Sequence, residues 1–183
     1  MNPLFITAHY DDLEVCAGGT AKRYGGISVV LFPKPNYGTC EEAKLAANIL
    51  GITLYAATPI TDFLNDIEVV DYDTIISVSP HDSHPEHQAA ASLARQLARK
   101  NNKALWFMDH GIPGGYGAGP RPNHFVNISD EAISKYKAIR AYKKVVKLYG
   151  NNWLPTISSR DKYYGGIHQV YAAEGFTIQD SMQ

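Results

Sequence analysis

Short apolar runs alternate along this chain with segments of helical periodicity, and this alternation limits the folds open to it. A strand-helix-strand order favours a mostly parallel sheet with helices on both faces. The sequence therefore predicts an α/β fold. Five runs have the length and composition of buried strands: 4–7, 27–32, 52–57, 74–78 and 104–108.

The helical segments carry start and stop signals of their own. Residues 39–50 begin with Thr39 and Glu42 in the spacing of a capping box and end at Gly51. Residues 86–100 repeat alanine and leucine at helical spacing. Four further predictions are a helical turn at 21–24 entered through Gly18-Gly19, a strand at 125–128, a long helix at 130–148 capped by Ser129, and a final strand at 170–173.

Length and composition fit one globular domain covering residues 1–183, with 45% hydrophobic and 19% charged residues. The net charge of −1 argues against a nucleic-acid partner, and no run approaches the ~20 apolar residues of a membrane span. The basic stretch 135–147 is interpreted as the exposed face of a helix.

Cysteine usage bears on the compartment. Cys16 and Cys40 are too few for a disulfide framework, so both are expected to be buried free thiols. The N-terminus begins with a strand pattern rather than a signal peptide, and a cytoplasmic location is expected.

Polar clusters follow three of the predicted strands: residues 9–12, residues 81–87, and Asp109-His110. In parallel sheets ligands bind beyond the carboxyl ends of the strands, at the point where the strand order reverses. We therefore expect these clusters to converge. His110 and His124 have no clear partner in the sequence and are predicted to be surface or loop residues.

Imidazole and carboxylate groups are good zinc ligands, and a catalytic zinc keeps three protein ligands and one open position. His9 and Asp12 lie three residues apart at a predicted helix entry, and His87 lies in the first turn of the next helix. Asp11 is then a candidate base for the attacking water, and His84, if protonated, a candidate oxyanion stabiliser and acid.

Each of these signals has a simpler explanation when it is taken alone. An Asp-Asp pair commonly caps a turn, and residues 84–87 can be no more than a helix N-terminus at which the dipole favours Glu86. Gly18-Gly19 lacks the spacing of a dinucleotide-binding loop, so close helix–strand packing is the simpler interpretation of that pair.

Two motifs carry a family resemblance. The segment Ala8-His9-Tyr10-Asp11-Asp12-Leu13-Glu14, followed by Gly18-Gly19-Thr20, resembles the opening signature of the LmbE-like (PIG-L) zinc-dependent N-deacetylases. His84-Pro85-Glu86-His87 resembles their second signature. Supporting matches occur at 127–129, 137–142, 160–165 and 174–176. The amino-acid sequences of several of these segments are most similar to those of deacetylases of N-acetylglucosamine conjugates, such as those of bacillithiol synthesis.

The resemblance implies a Rossmann-like three-layer α/β sandwich with a metal ion, zinc or alternatively ferrous iron. It implies His9, Asp12 and His87 as the metal ligands, Asp11 as the general base and His84 as the oxyanion stabiliser and acid. The family commonly forms homo-oligomers, so a homo-oligomer is a further expectation.

Tyr10, Tyr116 and Arg121 are predicted to contact the substrate. Tyr10 occupies a position beside the metal that is usually Pro or a small residue, where it would narrow the pocket. Tyr116 and Arg121 lie in the Gly/Pro-rich segment 110–122, which we predict to be a lid over the sugar. Thr39 stands where the family often has a substrate-contacting Arg, which bears on substrate identity.

The sequence thus predicts a metal-dependent amidohydrolase that removes an acetyl or other small acyl group from an amino sugar or N-acetylglucosamine conjugate. Its partner is a small-molecule amino sugar. One alternative keeps this chemistry on a nucleotide sugar, a glycolipid or an amino-sugar-decorated polymer. Another is a non-catalytic metal-binding or sugar-binding module, against which the intact Asp11 argues.

Overall fold

A computed structural model of the chain describes residues 1–56, 71–110 and 120–179. Its strands form a single sheet in the order β3-β2-β1-β4-β5-β7-β6. Strands β1 to β5 pair in parallel, whereas β7 runs antiparallel to both β5 and β6. The strands are β1 (Pro3–Thr7), β2 (Ile27–Val30), β3 (Thr53–Ala56), β4 (Thr74–Ser77), β5 (Ala104–Met108), β6 (His124–Asn127) and β7 (Ala173–Gln179).

Helices cover the sheet and bury an apolar core between the layers. The helices are α1 (Asp12–Tyr24), α2 (Cys40–Leu50), α3 (Pro85–Asn101), α4 (Ala132–Ala141), α5 (Lys143–Tyr149) and α6 (Trp153–Ile167), with a 3-10 turn at Pro35–Tyr37. Helices α1, α2 and α4 pack on one another, while α3 packs on β1, β4 and β5. The predicted α/β fold with a mostly parallel sheet is confirmed. None of the helices in the described ranges is long and apolar enough to cross a membrane.

The capping signals of α2 are confirmed in detail. The hydroxyl of Thr39 accepts the Glu42 N–H at 3.2 Å, and the Glu42 carboxylate accepts the Thr39 N–H at 2.9 Å. Gly51 ends the helix in the left-handed conformation, with φ of 73°. Local sequence therefore determines both ends of this helix.

The prediction for residues 130–148 was wrong. Two helices, α4 and α5, meet at Tyr142, whose ψ of 72° is not helical. Its ring is fully buried and its hydroxyl donates to the Tyr10 carbonyl at 2.6 Å, so a tertiary contact accompanies the break. Ser129 does not cap α4; its hydroxyl donates to the side chain of Asn127 and accepts the Tyr171 N–H.

Three further predictions need correction. The final strand begins at Ala173, where the predicted strand ends, and α6 was not predicted from the sequence. Lys135 is fully buried between Asp161 and Glu174, at 2.7 and 2.8 Å, and is not part of an exposed helix face. Cys16 is buried as expected, but Cys40 is exposed.

Gly18 and Gly19 lie inside α1 rather than before it. At both positions the helix packs too closely on its neighbours for a larger side chain. A Cβ atom at Gly18 would lie 3.1 Å from Lys135 Cγ, and one at Gly19 would lie 2.7 Å from the side chain of Ile128. This supports the close-packing interpretation of the glycine pair.

We expect Gly19→Ala to lower the free energy of unfolding by about 1–3 kcal/mol, because the added methyl group overpacks Ile128. Gly166→Ala in α6 is the matched control. A Cβ atom there meets nothing within 4 Å, and the better helix propensity of alanine should add about 0.5 kcal/mol. Urea unfolding followed by circular dichroism measures both; equal effects would contradict the packing argument.

Candidate active site

The predicted polar clusters converge at the carboxyl ends of β1 and β4. These strands are neighbours in the sheet, and the strand order reverses between them. His9 and Asp12 follow β1 at the entry to α1, while His87 lies in the first turn of α3, after β4. The sheet topology thus brings together residues that are 78 positions apart in the chain.

His9, Asp12 and His87 point one atom each at a common centre. His87 Nε2 lies 3.2 Å from His9 Nδ1 and 3.4 Å from Asp12 Oδ1, and the third edge, from His9 Nδ1 to Asp12 Oδ1, is 3.7 Å. Ligand atoms at 2.0–2.1 Å from a tetrahedral zinc ion lie about 3.3 Å apart. The three donor atoms therefore have the spacing of one face of such a coordination shell.

Carboxylates orient both histidines from the far side of their rings. Asp82 Oδ2 lies 2.8 Å from His87 Nδ1, and Glu86 Oε2 lies 2.7 Å from His9 Nε2. Lys34 in turn lies 2.5 Å from the other oxygen of Glu86. Metal-ligating histidines commonly have such carboxylate partners, which fix the tautomer and the ring orientation.

Asp12 is held by the backbone as well as by the two histidines. Its Oδ2 accepts the N–H groups of Ala8 and His9 at 3.0 and 2.8 Å. Burial raises the pKa of Asp12, but hydrogen bonds and charges from His87 and His9 outweigh it and hold this pKa well below its usual range. The carboxylate of Asp12 is therefore ionised at neutral pH and can act as an anionic metal ligand.

Asp11 is buried beside Asp12 but has a different environment. Its Oδ1 has no hydrogen-bond partner among the described residues. Burial, together with the negative charges of Asp12 and Glu14, raises the pKa of Asp11 well above its usual range. An unpartnered carboxyl group with a raised pKa next to the donor triangle is suited to accepting and releasing a proton.

The donor set fits a divalent cation. Burial lowers the pKa of His87, but hydrogen bonds and charges from Asp12 and Asp82 outweigh it and raise the pKa to about 9. The carboxylates around His87 thus favour positive charge at this point, which a proton supplies when no metal ion is bound. Two imidazoles and one carboxylate are a donor set typical of catalytic zinc sites.

His84 lies at the edge of the triangle. One ring nitrogen of His9, His84 and His87 each lies within 4.8 Å of the other two. Burial and the charges of His9 and His87 lower the pKa of His84, which favours a neutral ring at neutral pH. His84 is thus placed to donate a hydrogen bond as a neutral imidazole.

Sequence analysis did not identify Tyr37 as part of the site and assigned no partner to His110. The ring of Tyr37 stacks on His9 with centroids 4.0 Å apart, and the ring of His110 lies 5.0 Å from that of His87. No motif marks Tyr37. His110 lies outside the helices and strands, as predicted for a loop residue, but it does have a partner, because its position directly after β5 brings it to His87.

The three residues predicted to contact the substrate lie in different parts of the chain. Tyr10 is 8% exposed, and burial together with the neighbouring Cys40 raises the pKa of its hydroxyl. Tyr116 lies outside the described residues. Arg121 is exposed just before β6. The ring of His124, in β6, packs against that of Trp106 with centroids 4.4 Å apart and is tilted by 57°, so His124 is not an isolated surface residue.

The C-terminal motif residues support the floor of the site. Arg160 is 8% exposed and donates to the Val15 carbonyl of α1 at 2.6 Å and to the Asp109 carbonyl at 3.3 Å. The hydroxyl of Tyr164 donates to Asp109 Oδ2 at 2.5 Å. Both residues therefore fix the end of β5, next to His110.

Searches with the sequence find no matching family model and no matching curated protein. Solved structures do match. N,N'-diacetylchitobiose deacetylase from Pyrococcus horikoshii has a TM-score of 0.74 at 20% identity, covering 99% of this chain and 84% of its own. The zinc-inhibited form of teicoplanin deacetylase has a TM-score of 0.72 at 14% identity, covering 98% and 99%.

The fold is not tied to one reaction. The 4-carboxy-2-hydroxymuconate hydratase from Pseudomonas putida matches with a TM-score of 0.72 at 20% identity, covering 97% of this chain and 96% of its own. Fold similarity at these identities therefore leaves the reaction to be argued from the site. The chain shares the α/β fold of the two deacetylases, which is the fold that its resemblance to the LmbE-like (PIG-L) family implies.

Proposed function

We propose that this protein is a metal-dependent N-deacetylase that removes an acetyl or other small acyl group from an amino sugar or N-acetylglucosamine conjugate. One observation carries the proposal: His9, Asp12 and His87 form a donor triangle with edges of 3.2 to 3.7 Å, and the unpartnered carboxyl group of Asp11 lies beside it. The deacetylases among the structural neighbours support the reaction class.

His9, Asp12 and His87 would hold the ion, which is zinc or alternatively ferrous iron. Bound there, a divalent ion supplies a Lewis acid for the amide carbonyl and lowers the pKa of the attacking water to about 7. Asp82 and Glu86 keep the two imidazoles oriented through their far nitrogens.

The remaining roles are proton transfer and charge stabilisation. Asp11 takes the proton of the attacking water, since its Oδ1 is engaged with no other described group. His84 supports, through its ring N–H, the stabilisation of the negative charge that develops as the amide carbonyl becomes tetrahedral. The proton held by Asp11 is then available for the leaving amine.

The proposed partner is a small-molecule amino sugar, and the bacillithiol-type conjugate is the narrowest form of the proposal. The match to a chitobiose deacetylase and to a teicoplanin deacetylase supports sugar-containing substrates as a class. A homo-oligomeric assembly and a cytoplasmic location remain proposals from the sequence.

Elemental analysis of the purified protein, combined with an acetate-release assay on N-acetylglucosamine and its simple glycosides, tests the function. We expect about one metal ion per chain and acetate release that a chelator abolishes. Metal without acetate release would redirect the search to nucleotide sugars, glycolipids and polymers. Failure to bind a metal ion under replete conditions would overturn the proposal.

Zinc affinity should depend on pH. His87 must lose a proton to bind the ion, and its pKa in the metal-free protein is raised to about 9, so binding releases a proton at any pH below that value. We expect the apparent affinity to rise about tenfold per pH unit between pH 6 and 8. Competition with a chromogenic chelator measures it; a pH-independent affinity, after correction for the chelator, would contradict the placement of the ion on His87.

A further inference from the structure

Tyr37 enters the site from the connection between β2 and α2 and contacts two of its histidines. Its ring stacks on His9 at an interplanar angle of 29°, and its hydroxyl oxygen lies 3.3 Å from His84 Nε2. Tyr37 thus contacts both His9, a proposed metal ligand, and His84, the proposed oxyanion stabiliser.

The following glycine permits this placement. Gly38 has a φ of 108°, and a Cβ atom there would lie 2.6 Å from the ring of Tyr142. Because Tyr142 is itself fully buried and anchored to the Tyr10 carbonyl, the 3-10 turn rests on a fixed surface. The position of Tyr37 is therefore built into the fold rather than set by an exposed loop alone.

The hydrogen bonds of His84 fix the direction of the contact. His84 Nδ1 accepts the Glu86 N–H at 3.3 Å as the N-cap of α3, so the neutral ring carries its hydrogen on Nε2. That N–H then donates to the hydroxyl oxygen of Tyr37. A phenol that accepts at oxygen still has its own O–H to donate, and in the described parts of the chain the Tyr37 hydroxyl has no other hydrogen-bond partner.

We propose that the hydroxyl of Tyr37, held by His84, is a substrate-contacting donor that binds the acyl carbonyl oxygen and stabilises its developing negative charge. This inference rests on the proposed deacetylase function and assigns it a residue that sequence analysis did not identify. His84 and Tyr37 then act in series, with the imidazole orienting the phenol and the phenol meeting the oxygen.

Tyr37→Phe tests the assignment, because it keeps the ring on His9 and removes only the hydroxyl. We expect kcat to fall about 100-fold with KM changed less than about threefold, and zinc content to stay as in the wild type. Tyr24→Phe, at the exposed end of α1, is the matched control and should keep wild-type kinetics. A Tyr37→Phe variant with wild-type kcat would overturn the proposal.

Binding of acetate to the zinc-loaded protein, measured by calorimetry, separates this inference from the proposed function. The variant should bind acetate about tenfold more weakly than the wild type. If the variant binds acetate more weakly but the wild type releases acetate from no substrate tested, the Tyr37 contact would be supported and the proposed deacetylase function contradicted. Equal acetate affinity in both proteins, or no acetate binding by the wild type, would overturn the contact itself.

The tautomer of His84 gives a readout that needs no substrate. Long-range proton–nitrogen NMR of the metal-free protein should show His84 with its hydrogen on Nε2, and Tyr37→Phe should shift that nitrogen resonance. A hydrogen on Nδ1 in the wild type would show that Tyr37 donates to His84 instead, and would overturn the proposed direction.

Discussion

Asp11→Asn is expected to lower the deacetylase kcat by a factor of about 10² to 10⁴ while zinc content stays near one ion per chain. The amide has the shape of the carboxyl group but cannot take a proton from water. Asp11 contributes no atom to the donor triangle, so the ion should remain bound. Steady-state kinetics and elemental analysis of the same preparation measure both quantities.

The same variant should be at least as stable as the wild type. Burial and the charges of Asp12 and Glu14 raise the pKa of Asp11 in the folded protein above its unfolded value. Ionisation of Asp11 therefore costs stability as the pH rises through the range between the two pKa values, and asparagine removes that cost. We expect an equal or higher melting temperature at pH 7, measured without metal.

Loss of turnover together with retained stability distinguishes a base from a structural residue, because removal of a structural residue would lower both. Asp130→Asn, at an exposed position before α4, is the control and should change neither quantity. Retained turnover in Asp11→Asn would remove the base assignment. Loss of zinc would instead place Asp11 among the metal ligands.

Local sequence predicts those parts of this protein that local physics determines. The capping box of Thr39 and Glu42 and the glycine stop at Gly51 were readable because all their partners lie within a few residues. The donor triangle of His9, Asp12 and His87 could be predicted for a related reason. Parallel strands place their carboxyl ends at one edge of the sheet, so polar residues after β1 and β4 meet there.

Contacts between distant segments were not readable in the same way. The helix at 130–148 looks continuous in sequence, but the buried ring of Tyr142 and its bond to the Tyr10 carbonyl accompany a break in it. Lys135 has the helical sequence context of a surface lysine, but in the fold it is enclosed by Asp161 of α6 and Glu174 of β7, which lie later in the chain. Tyr37 belongs to the site only because the connection after β2 crosses His9.

His87→Ala is expected to abolish zinc binding and turnover together and to destabilise the protein. His87 Nε2 supplies one of the three donor atoms, so we expect zinc affinity to fall by more than about 100-fold. The substitution also leaves Asp12 and Asp82, 4% and 6% exposed, without the positive partner that lies between them. Breaking a buried ion pair in this way costs about 3–5 kcal/mol.

Thermal unfolding with and without zinc separates the two effects of this substitution. Zinc should raise the melting temperature of the wild type, because it binds the folded state, and should leave that of His87→Ala unchanged. His81→Ala, at an exposed position on the same connection, should keep the wild-type response and controls for the removal of any histidine there. A zinc-induced rise in His87→Ala equal to that of the wild type would place the ion elsewhere.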